Sequence, residues 1–466
     1  MKRTTLLISL VLFINVSIVA QEFFPFSAQP YSGALGAQFQ PASIADSEYR
    51  LDMTFLGVSL DLSNNLYSIK HKMLLYPFKE EKSEVMPVEV VANTRSGTKK
   101  GFLGAKVDLF SFMIKLDEKS AIAFTPSFRT KLSITHVSED LARLIVSDFN
   151  DVTLHNIELK NANLNLSTHA WAEYGLTYAR TVYNDGNHFI KAGATVKLLQ
   201  GLGAGYLNIK DLSYKFTNKD TLSIFKTSVS YGTSYDFDID EKLKPRFAGK
   251  PSLGFDIGAV YEYRTSDIDY NPPTTGYTKL KLQDAAHYKY KVGIAITDIG
   301  SVNYRRNPES ADFVANIENM YIRDIRIDNI EDFNRYTDSL FHVTPCTDDF
   351  NMALPTSISL QLDARVSKGI YLNFIPYIAL NKGTSLVAKS SNFVSLNLIP
   401  RIELGNVTVS VPIQYNELNQ FKTGLAVRAL FLWIGSNDLL SNIVKGDIYN
   451  TNLYFALKFP ILFSKN

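Results

Sequence analysis

Residues 254–264 read GFDIGAVYEYR, and this stretch decides the fold class. Its odd-numbered positions from 255 to 263 carry only apolar or aromatic side chains, whereas Asp256, Glu262 and Arg264 occupy even-numbered positions. Successive side chains of a β-strand point to opposite faces. The stretch therefore predicts a strand with one wholly apolar face and one face that carries charge.

The same alternation recurs along the chain. It is clear in 172–178, 357–366, 394–404, 406–415 and 452–459. Counting such segments predicts roughly 14 to 16 strands of about ten residues, the length that crosses a bilayer when the strand is tilted. The mean strand of a soluble protein is about half as long.

A soluble β-sandwich is the alternative interpretation, because its strands also alternate between a packed face and a solvated face. Strand length and the 25 Tyr and 30 Phe favour a membrane barrel, in which interfacial girdles use many aromatic side chains. The predicted fold class is all-β, a transmembrane outer-membrane β-barrel of antiparallel strands with short helical insertions in loops. Its apolar face would contact lipid, its charged face would line the lumen, and closure would leave no unpaired edge in hydrocarbon.

The N-terminal residues 1–20 have the pattern of a secretory signal peptide. Lys2 and Arg3 precede an apolar run that ends in small residues. A retained membrane helix is the alternative, but the run is short and contains Asn15 and Ser17. Export of a barrel of this kind predicts the bacterial outer membrane. Residues 21–50 would then form an N-terminal segment and residues 51–466 the barrel.

Charge and cysteine content exclude several classes of protein. Without the two basic residues of the leader, the 48 Lys and Arg become 46, equal to the 46 Asp and Glu. A neutral chain lacks the basic field that nucleic-acid binding needs. The single cysteine, Cys346, permits no internal disulfide, so strand pairing and burial must hold the exported chain together.

Charged residues on the polar faces of the predicted strands are the candidates for the lumen wall. They are Lys191, Lys197, Asp256, Glu262, Arg264, Asp363, Arg365, Arg401, Glu403, Lys422, Arg428 and Lys458. One interpretation is that they pair across the lumen and solvate it, and the other is that they set the charge selectivity of a pore. The presence of both signs favours pairing.

Two regions do not alternate in this way. Residues 138–149 predict a short helix that Ser138 caps. The insertion at 303–354 contains two helix-like stretches, 311–325 and 329–341. Counting strands back from the C-terminus places this insertion on the periplasmic side, where it would cap the barrel, fold into it or contact a partner.

The search for catalytic and ligand-binding motifs is negative. None of the seven histidines has the spacing of a zinc site, and no GxSxG elbow occurs. Residues 201–205, GLGAG, lack the full dinucleotide-binding spacing. Ser167 and His169 share a strand face simply because they are two residues apart. We therefore expect no enzyme activity, no metal and no cofactor.

Five stretches carry a family resemblance: QPASIADSEYRLDM (40–53), KAGATVKLLQGLGAGY (191–206), YKVGIAITDIGSVNY (290–304), LPTSISLQLDARV (354–366) and GLAVRALFLWIGSNDLL (424–440). In this order they resemble an uncharacterised family of outer-membrane barrels from Bacteroidota-type bacteria, over nearly all of the mature chain. More distantly the chain is similar to FadL-like barrels, which move hydrophobic compounds and carry Asn-Pro-Ala after a hatch in the lumen. The resemblance implies a hatch within residues 21–50, with Gln40, Pro41 and Ala42 at the motif. Gln40 departs from the family's Asn.

The last strand also resembles a family signal. Phe455, Phe459 and Phe463 stand at alternating aromatic positions, similar to the terminal strand that the barrel-insertion machinery reads. This resemblance implies that machinery as a partner, beside the lipid of the outer membrane.

Two functions remain open. The first is a porin-like or FadL-like transporter of small or hydrophobic solutes through a gated lumen. The second is a structural or assembly barrel whose insertion at 303–354 docks a periplasmic or surface protein of a secretion, gliding or cell-envelope complex.

Overall fold

The structure is a computed structural model, and it describes residues 24–462 except 28, 48, 71–89, 93–96, 235–246, 266–287, 324, 326–329, 381–387 and 390–393. The predicted signal peptide and Phe463 lie outside the described residues. The described helices are α1 (Phe24–Ser27), α2 (Gly33–Ala37), α3 (Glu139–Val146), α4 (Ile330–Leu340) and α5 (Leu439–Val444), with 3-10 turns at Pro41–Ile44 and Val152–Leu154. None of these helices is long and apolar enough to cross a membrane.

Strands make up most of the described chain. They are β1 (Tyr49–Asn64), β2 (Tyr67–Lys70), β3 (Val90–Ala92), β4 (Lys99–Asp108), β5 (Ser111–Lys115), β6 (Ser120–Val137), β7 (Leu159–Asn184), β8 (His188–Asn218), β9 (Thr221–Thr233), β10 (Ser252–Tyr263), β11 (Tyr290–Tyr304), β12 (Ala311–Tyr321), β13 (Val343–Pro345), β14 (Phe350–Ala353), β15 (Ser357–Ser367), β16 (Ile370–Ala379), β17 (Ala388–Lys389), β18 (Ser395–Leu404), β19 (Val407–Ser410), β20 (Ile413–Asn416), β21 (Phe421–Thr423), β22 (Leu425–Ala429), β23 (Leu432–Ser436), β24 (Asp447–Ile448) and β25 (Asn450–Leu462).

These strands close a ring of 14 antiparallel strands. Around the wall the order is β1, β4 with β5, β6, β7, β8, β10, β11, β15, β16, β18, β19 with β20, β21 with β22, β23 and β25. The ring closes where β1 pairs with β25, from Tyr49 opposite Leu462 to Ser63 opposite Asn450. A closed ring leaves no strand edge for another chain to extend. The predicted fold class, an all-β barrel of outer-membrane type, is confirmed.

The two faces of the wall follow the alternation in the sequence. On β10, Asp256 is 0 % exposed and points inward, whereas the neighbouring Ile257 is 49 % exposed on the outside. Aromatic rings cluster on the outer surface near the first and last strands, where Phe459 lies 5.0 Å from Phe55 and 5.5 Å from Phe431 between ring centroids. Such a surface suits lipid, with aromatic rings concentrated near one rim.

The two ends of the barrel differ in the length of their connections. At the end that holds Tyr49 and Leu462, turns such as 185–187, 368–369 and 405–406 are short, and one longer connection, 264–289, also lies there. Longer connections, including the insertion at 303–354, lie at the opposite end. Transmembrane barrels usually place their short turns toward the periplasm. This tendency favours the outer side for the insertion, whereas the strand count favoured the periplasmic side, and the side that the insertion faces stays a prediction.

The helix prediction for the insertion is correct in one half and wrong in the other. Helix α4 confirms the helical pattern of 329–341, but 311–321 form strand β12 and pair with β9. Ala311, Phe313 and Ala315 are buried at every second position, which is the period of a strand. Their polar neighbours misled the prediction, because acidic and amide residues at irregular spacing also occur on amphipathic helices.

Two wall strands, β7 and β8, continue past the barrel wall at the end with the long connections. The outer parts of β7 and β8 form a sheet with β9 and β12, and α3 and α4 pack against it. The predicted cap of α3 is confirmed, since Leu141 N–H donates to Ser138 Oγ at 3.3 Å. We call this sheet with its two helices the outer extension.

The described residues between 24 and 47 lie inside the ring. Phe26, Tyr31, Leu35 and Ile44 are buried in one apolar cluster with Trp433 and other wall residues. The 3-10 turn Pro41–Ile44 contacts β8 and β10. We call residues 24–47 the hatch, and the wall of the barrel surrounds it.

Candidate functional site

Gln40 joins the hatch to the barrel wall. Its Nε2 donates to the carbonyl oxygens of Ala259 at 3.3 Å and Ile294 at 3.1 Å, which belong to the adjacent strands β10 and β11. Its Oε1 accepts the N–H of Ala42 at 3.4 Å and so caps the 3-10 turn. One amide side chain therefore fixes both the local turn and its position on the wall.

Glycines on the wall make room for this contact. A Cβ at Gly258 would lie 1.9 Å from Gln40 Oε1, and a Cβ at Gly193 would lie 2.6 Å from the Ala42 nitrogen. No side chain fits at such distances, so these strands accept the hatch only because glycine lacks a Cβ. The structure thus places Gln40, Pro41 and Ala42 against β8 and β10.

Asp46 is the second polar contact between the hatch and this wall. It accepts hydrogen bonds from Lys191 Nζ and from Arg264 Nη2, the latter at 2.7 Å. Both cations also bond Glu262, Lys191 at 2.6 Å and Arg264 at 2.5 Å. Two acids and two bases therefore share one cluster, and one member belongs to the hatch.

Replacing Asp46 by Asn is expected to loosen the hatch without unfolding the barrel. Lys191 and Arg264 keep Glu262 as a partner, so the loss is limited to the charged bonds of Asp46, about 1–3 kcal/mol. Hydrogen exchange at the backbone of residues 33–47 should speed up, while exchange in β8 and β10 stays slow. Asp185→Asn, in an exposed hairpin, is the matched control. Equal protection of the hatch in both variants would contradict a role for Asp46.

A different part of the barrel wall holds the first half of the hatch. Lys458 Nζ on β25 donates to the carbonyl oxygens of Tyr31 at 3.0 Å and Ser32 at 2.6 Å, and it pairs with Asp52 at 3.1 Å. Asp52 also accepts the N–H of Ala34 at 3.0 Å. The hatch is thus tied to two separate parts of the ring.

A buried charge network lies on β6, β7, β8, β10 and β11. Arg129 forms two hydrogen bonds with Asp298, at 2.7 and 2.8 Å, and one with Glu173 at 3.1 Å. Lys197 pairs with Asp256 at 2.9 Å and with Asp298 at 2.7 Å. Three acids and two bases compensate one another across five strands.

A second buried network centres on Arg401. Its guanidinium forms two hydrogen bonds with Asp363, at 2.8 and 2.9 Å, and one with Glu403 at 2.9 Å. It also donates to the hydroxyl of Tyr288 at 3.2 Å and lies 4.3 Å from the ring centroid of Tyr371. Every side of this buried cation has a partner.

The remaining predicted wall residues also point inward. Lys422 donates to Ser63 Oγ at 2.9 Å, and Arg428 donates to Thr408 Oγ1 at 2.8 Å and lies over the Tyr31 ring at 4.1 Å. Of the twelve candidates, all are buried except Arg264 and Arg365, which are half-buried. The geometry shows extensive ion pairing within the wall.

The sequence analysis missed several members of these networks. They are Asp52, Arg129, Glu173 and Asp298, whose side chains are all buried. Asp52 in LDMTF and Glu173 in AWAEYG stand between apolar residues. The alternation that identified the twelve would have found Asp52, Arg129 and Glu173 as well. It would have missed Asp298, because a bulge in β11 with a positive φ at Asp298 turns this even-numbered side chain from the outer to the inner face.

Two small cavities flank the hatch, and polar side chains dominate both. One is lined by Gln29, Ser43, Asp46, Lys191, Glu262 and Lys291, and the other by Gln38, Ser59, Lys106, Arg129, Lys131 and Lys197. In the described part of the chain, Gln29 Oε1, Ser43 Oγ, Gln38 Oε1 and Ser59 Oγ have no hydrogen-bond partner. Both cavities therefore offer hydrogen-bonding atoms that the protein itself does not use.

The structure gives Ser167 and His169 other partners than those of a catalytic pair. Ser167 Oγ lies 2.9 Å from Ser133 Oγ, and His169 Nδ1 lies 3.3 Å from the hydroxyl of Tyr304. His169 also stacks on Trp171, with ring centroids 4.3 Å apart. Within the described ranges, no group of three or more His, Cys, Asp or Glu side chains could hold a metal ion.

Comparison with known proteins finds one family model that matches the chain and several solved structures that resemble it at low sequence identity. The model of a family of unknown function, DUF5723, matches residues 41–437. No curated protein sequence matches the chain. The toluene transporter TbuX of Ralstonia pickettii is 8% identical, with a TM-score of 0.40 over 92% of this chain and 94% of that one. A FadL homologue of Pseudomonas aeruginosa is 10% identical, with a TM-score of 0.38 over 91% and 93%. The translocator domain of the autotransporter NalP from Neisseria meningitidis is 10% identical, with a TM-score of 0.30 over 88% and 89%.

Proposed function

The chain belongs to the family of unknown function DUF5723, and we propose that it is an outer-membrane transporter of small polar solutes whose lumen the hatch opens and closes. The observation that carries this proposal is the hatch itself, a segment that lies inside the ring without joining the strand ladder of the wall. The apolar outer surface and the closed ring support a location in the outer membrane of a bacterium. An origin in Bacteroidota stays a prediction.

The hatch packs on the wall through one apolar cluster, but its contacts at Gln40 and Asp46 are polar and support movement of this part. Gln40 and Asp46 meet the wall through an amide and a carboxylate, which water can replace on both sides once the hatch leaves. The wall also keeps its own partners without the hatch, since Glu262 compensates Lys191 and Arg264. Release of the hatch therefore leaves both Lys191 and Arg264 with Glu262 as a partner.

The linings of the two cavities support a polar solute. An apolar molecule in either cavity would cover charged and amide groups without bonding them, and burying a polar group without a hydrogen bond costs about 1–3 kcal/mol in proteins. A hydroxyl-rich or amide-containing solute can bond Gln29, Ser43, Gln38 and Ser59 instead. Between the small and the hydrophobic solutes that the sequence left open, this lining favours small polar ones.

The substitution Gly258→Val tests whether the hatch acts as a gate, because it adds one side chain at the contact between the hatch and the wall. The new side chain would occupy the space of Gln40 Oε1, 1.9 Å from the ideal Cβ, and should push residues 40–42 off the wall. We expect frequent channel openings in planar bilayers and permeation of small neutral sugars into proteoliposomes. Valine is a good strand residue, so the barrel should still show a heat-dependent shift in gel mobility.

Two further variants make this test specific. Gln40→Ala in the Gly258→Val background removes the clashing side chain and should restore much of the closed state. Gly205→Val introduces the same change on β8, where the ideal Cβ meets nothing closer than 3.7 Å, and should stay closed. A folded Gly258→Val barrel without openings would overturn the gate, and permeation of toluene but not of sugars would overturn the solute class.

The outer extension favours a second candidate function, docking of a partner protein. Its sheet and helices pack on two apolar clusters of their own, outside the ring of the barrel wall. A variant without residues 305–350 should then keep the barrel, judged by gel mobility, but lose a protein that co-purifies from native membranes. An unchanged set of co-purifying proteins would count against docking.

A further inference from the structure

One section of the barrel wall contains a helix where a strand would be expected. Strand β23 is only five residues long and ends at Ser436. Beyond it the wall continues on one side with β21 and on the other with the first residues of β25. The chain between Ser436 and Asn450 bridges these two strands and contains helix α5.

Helix α5 and the residue after it bond both flanking strands. On one side, Ser441 Oγ accepts the N–H of Thr423 at 2.7 Å, and Lys445 Nζ donates to the carbonyl of Phe421 at 2.6 Å. On the other side, Asn442 Nδ2 donates to the carbonyl of Asn450 at 2.9 Å. The helix therefore takes the place of wall strand and satisfies backbone groups that a strand would have paired.

The two sides of this bridge differ in polarity. Asp438 and Ser441 are buried on its inner side. Its outer side exposes four aliphatic residues, and Ile443 and Val444 are 67 % and 85 % exposed. A fully solvated helix in a loop would gain nothing from aliphatic residues at these positions, since apolar surface in water is unfavourable.

The apolar side of α5 continues the outer surface of the barrel. Phe421 on β21 and Leu453 on β25, the flanking strands, also expose their side chains on the outside. Leu453 pairs in register with Leu60 of β1, near the rim with the long connections. The helix thus lies where the lipid-facing surface of the wall approaches the membrane interface.

We propose that α5 is an interfacial helix set into the barrel wall, with Leu439, Leu440, Ile443 and Val444 in the acyl-chain region of the leaflet on the side of the long connections. Lipid contacts the apolar face of this helix, because that face is continuous with the lipid-facing surface of the wall. The polar side of the helix bonds the wall itself. Amphipathic helices at an interface bury their apolar face about 5–10 Å into the boundary of headgroups and acyl chains. This inference depends on the barrel alone and not on transport.

A fluorescent probe at Val444 tests lipid contact directly. Cys346 is the sole cysteine, so Cys346→Ser provides a background in which Val444→Cys carries the probe alone. Val152→Cys is the matched control, because Val152 is 72 % exposed in a connection at the same end of the barrel. In proteoliposomes of phosphatidylcholine, nitroxide lipids labelled on the acyl chain should quench the probe at 444 but not the probe at 152, and iodide should do the reverse.

Either of two results would overturn the proposal. Quenching of the probe at 444 by iodide, at the level seen for 152, would place α5 in water. Protection of the probe from both nitroxide lipid and iodide would mean that protein covers the helix. Heat-dependent gel mobility of each labelled variant shows that the barrel is folded before quenching is compared.

Discussion

Replacement of residues 24–47 by a Gly/Ser chain of equal length is expected to turn the closed barrel into a permanently open pore. The hatch lies inside the ring, and its bonds to β8, β10 and β25 are made by side chains and single carbonyl groups. A Gly/Ser chain has none of these groups and remains a flexible coil. Water can then hydrate the wall charges, which keep their partners across the ring.

Planar-bilayer recording measures this change as stable conductance steps in the variant, against rare or no openings in the intact protein. Addition of a synthetic peptide of residues 24–47 should reduce the conductance again, which separates loss of the hatch from damage to the wall. A variant that inserts, shows the gel-mobility shift and remains closed would show that something other than the hatch blocks the lumen.

Arg401→Met is expected to destabilise the barrel more than any other single substitution considered. The change removes the cation that compensates Asp363 and Glu403, and both carboxylates would remain buried. Removal of one partner of a buried ion pair typically costs about 3–5 kcal/mol. Methionine roughly keeps the length of the side chain, so the loss is mainly electrostatic.

The temperature at which the folded band disappears from the gel should fall clearly for Arg401→Met. Lys289→Met, on an exposed side chain directly before β11, is the matched control and should leave this temperature unchanged. Adding Asp363→Asn and Glu403→Gln to Arg401→Met removes the uncompensated charges and should recover much of the stability. If the folded band of Arg401→Met disappeared at the same temperature as that of the intact protein, the ion pairs of Arg401 with Asp363 and Glu403 would contribute little to stability.

The fold was predictable from the sequence because membrane strands obey one strong rule. Lipid requires an apolar residue at every second position, and GFDIGAVYEYR meets that rule around Asp256 and Glu262. The rule weakens outside the wall. In β12 the residues that face outward mix polar side chains with the apolar Val314, so the local pattern could not separate a strand from a helix, and only the pairing with β9 decided it.

The hatch was much less predictable than the wall. Its helices α1 and α2 are four and five residues long, too short for a periodic signal. Gln40 carries no mark in the sequence that shows its contact with Ala259 and Ile294, because those partners lie more than two hundred residues away. Only the family resemblance pointed to residues 40–42. The partners of Asp46 could not be predicted, because they come close to it only when the strands have closed into a ring.

Closure of the ring between β1 and β25 makes biogenesis depend on the very last strand. The first strand can find its second neighbour only after almost the whole chain has been synthesised, and such long-range pairing forms slowly. A chain that is cut short before β25 would therefore present two unpaired strand edges to its neighbours, a template for aggregation. Rapid removal of truncated chains by proteolysis should accordingly matter more for this protein than for one built from local hairpins alone.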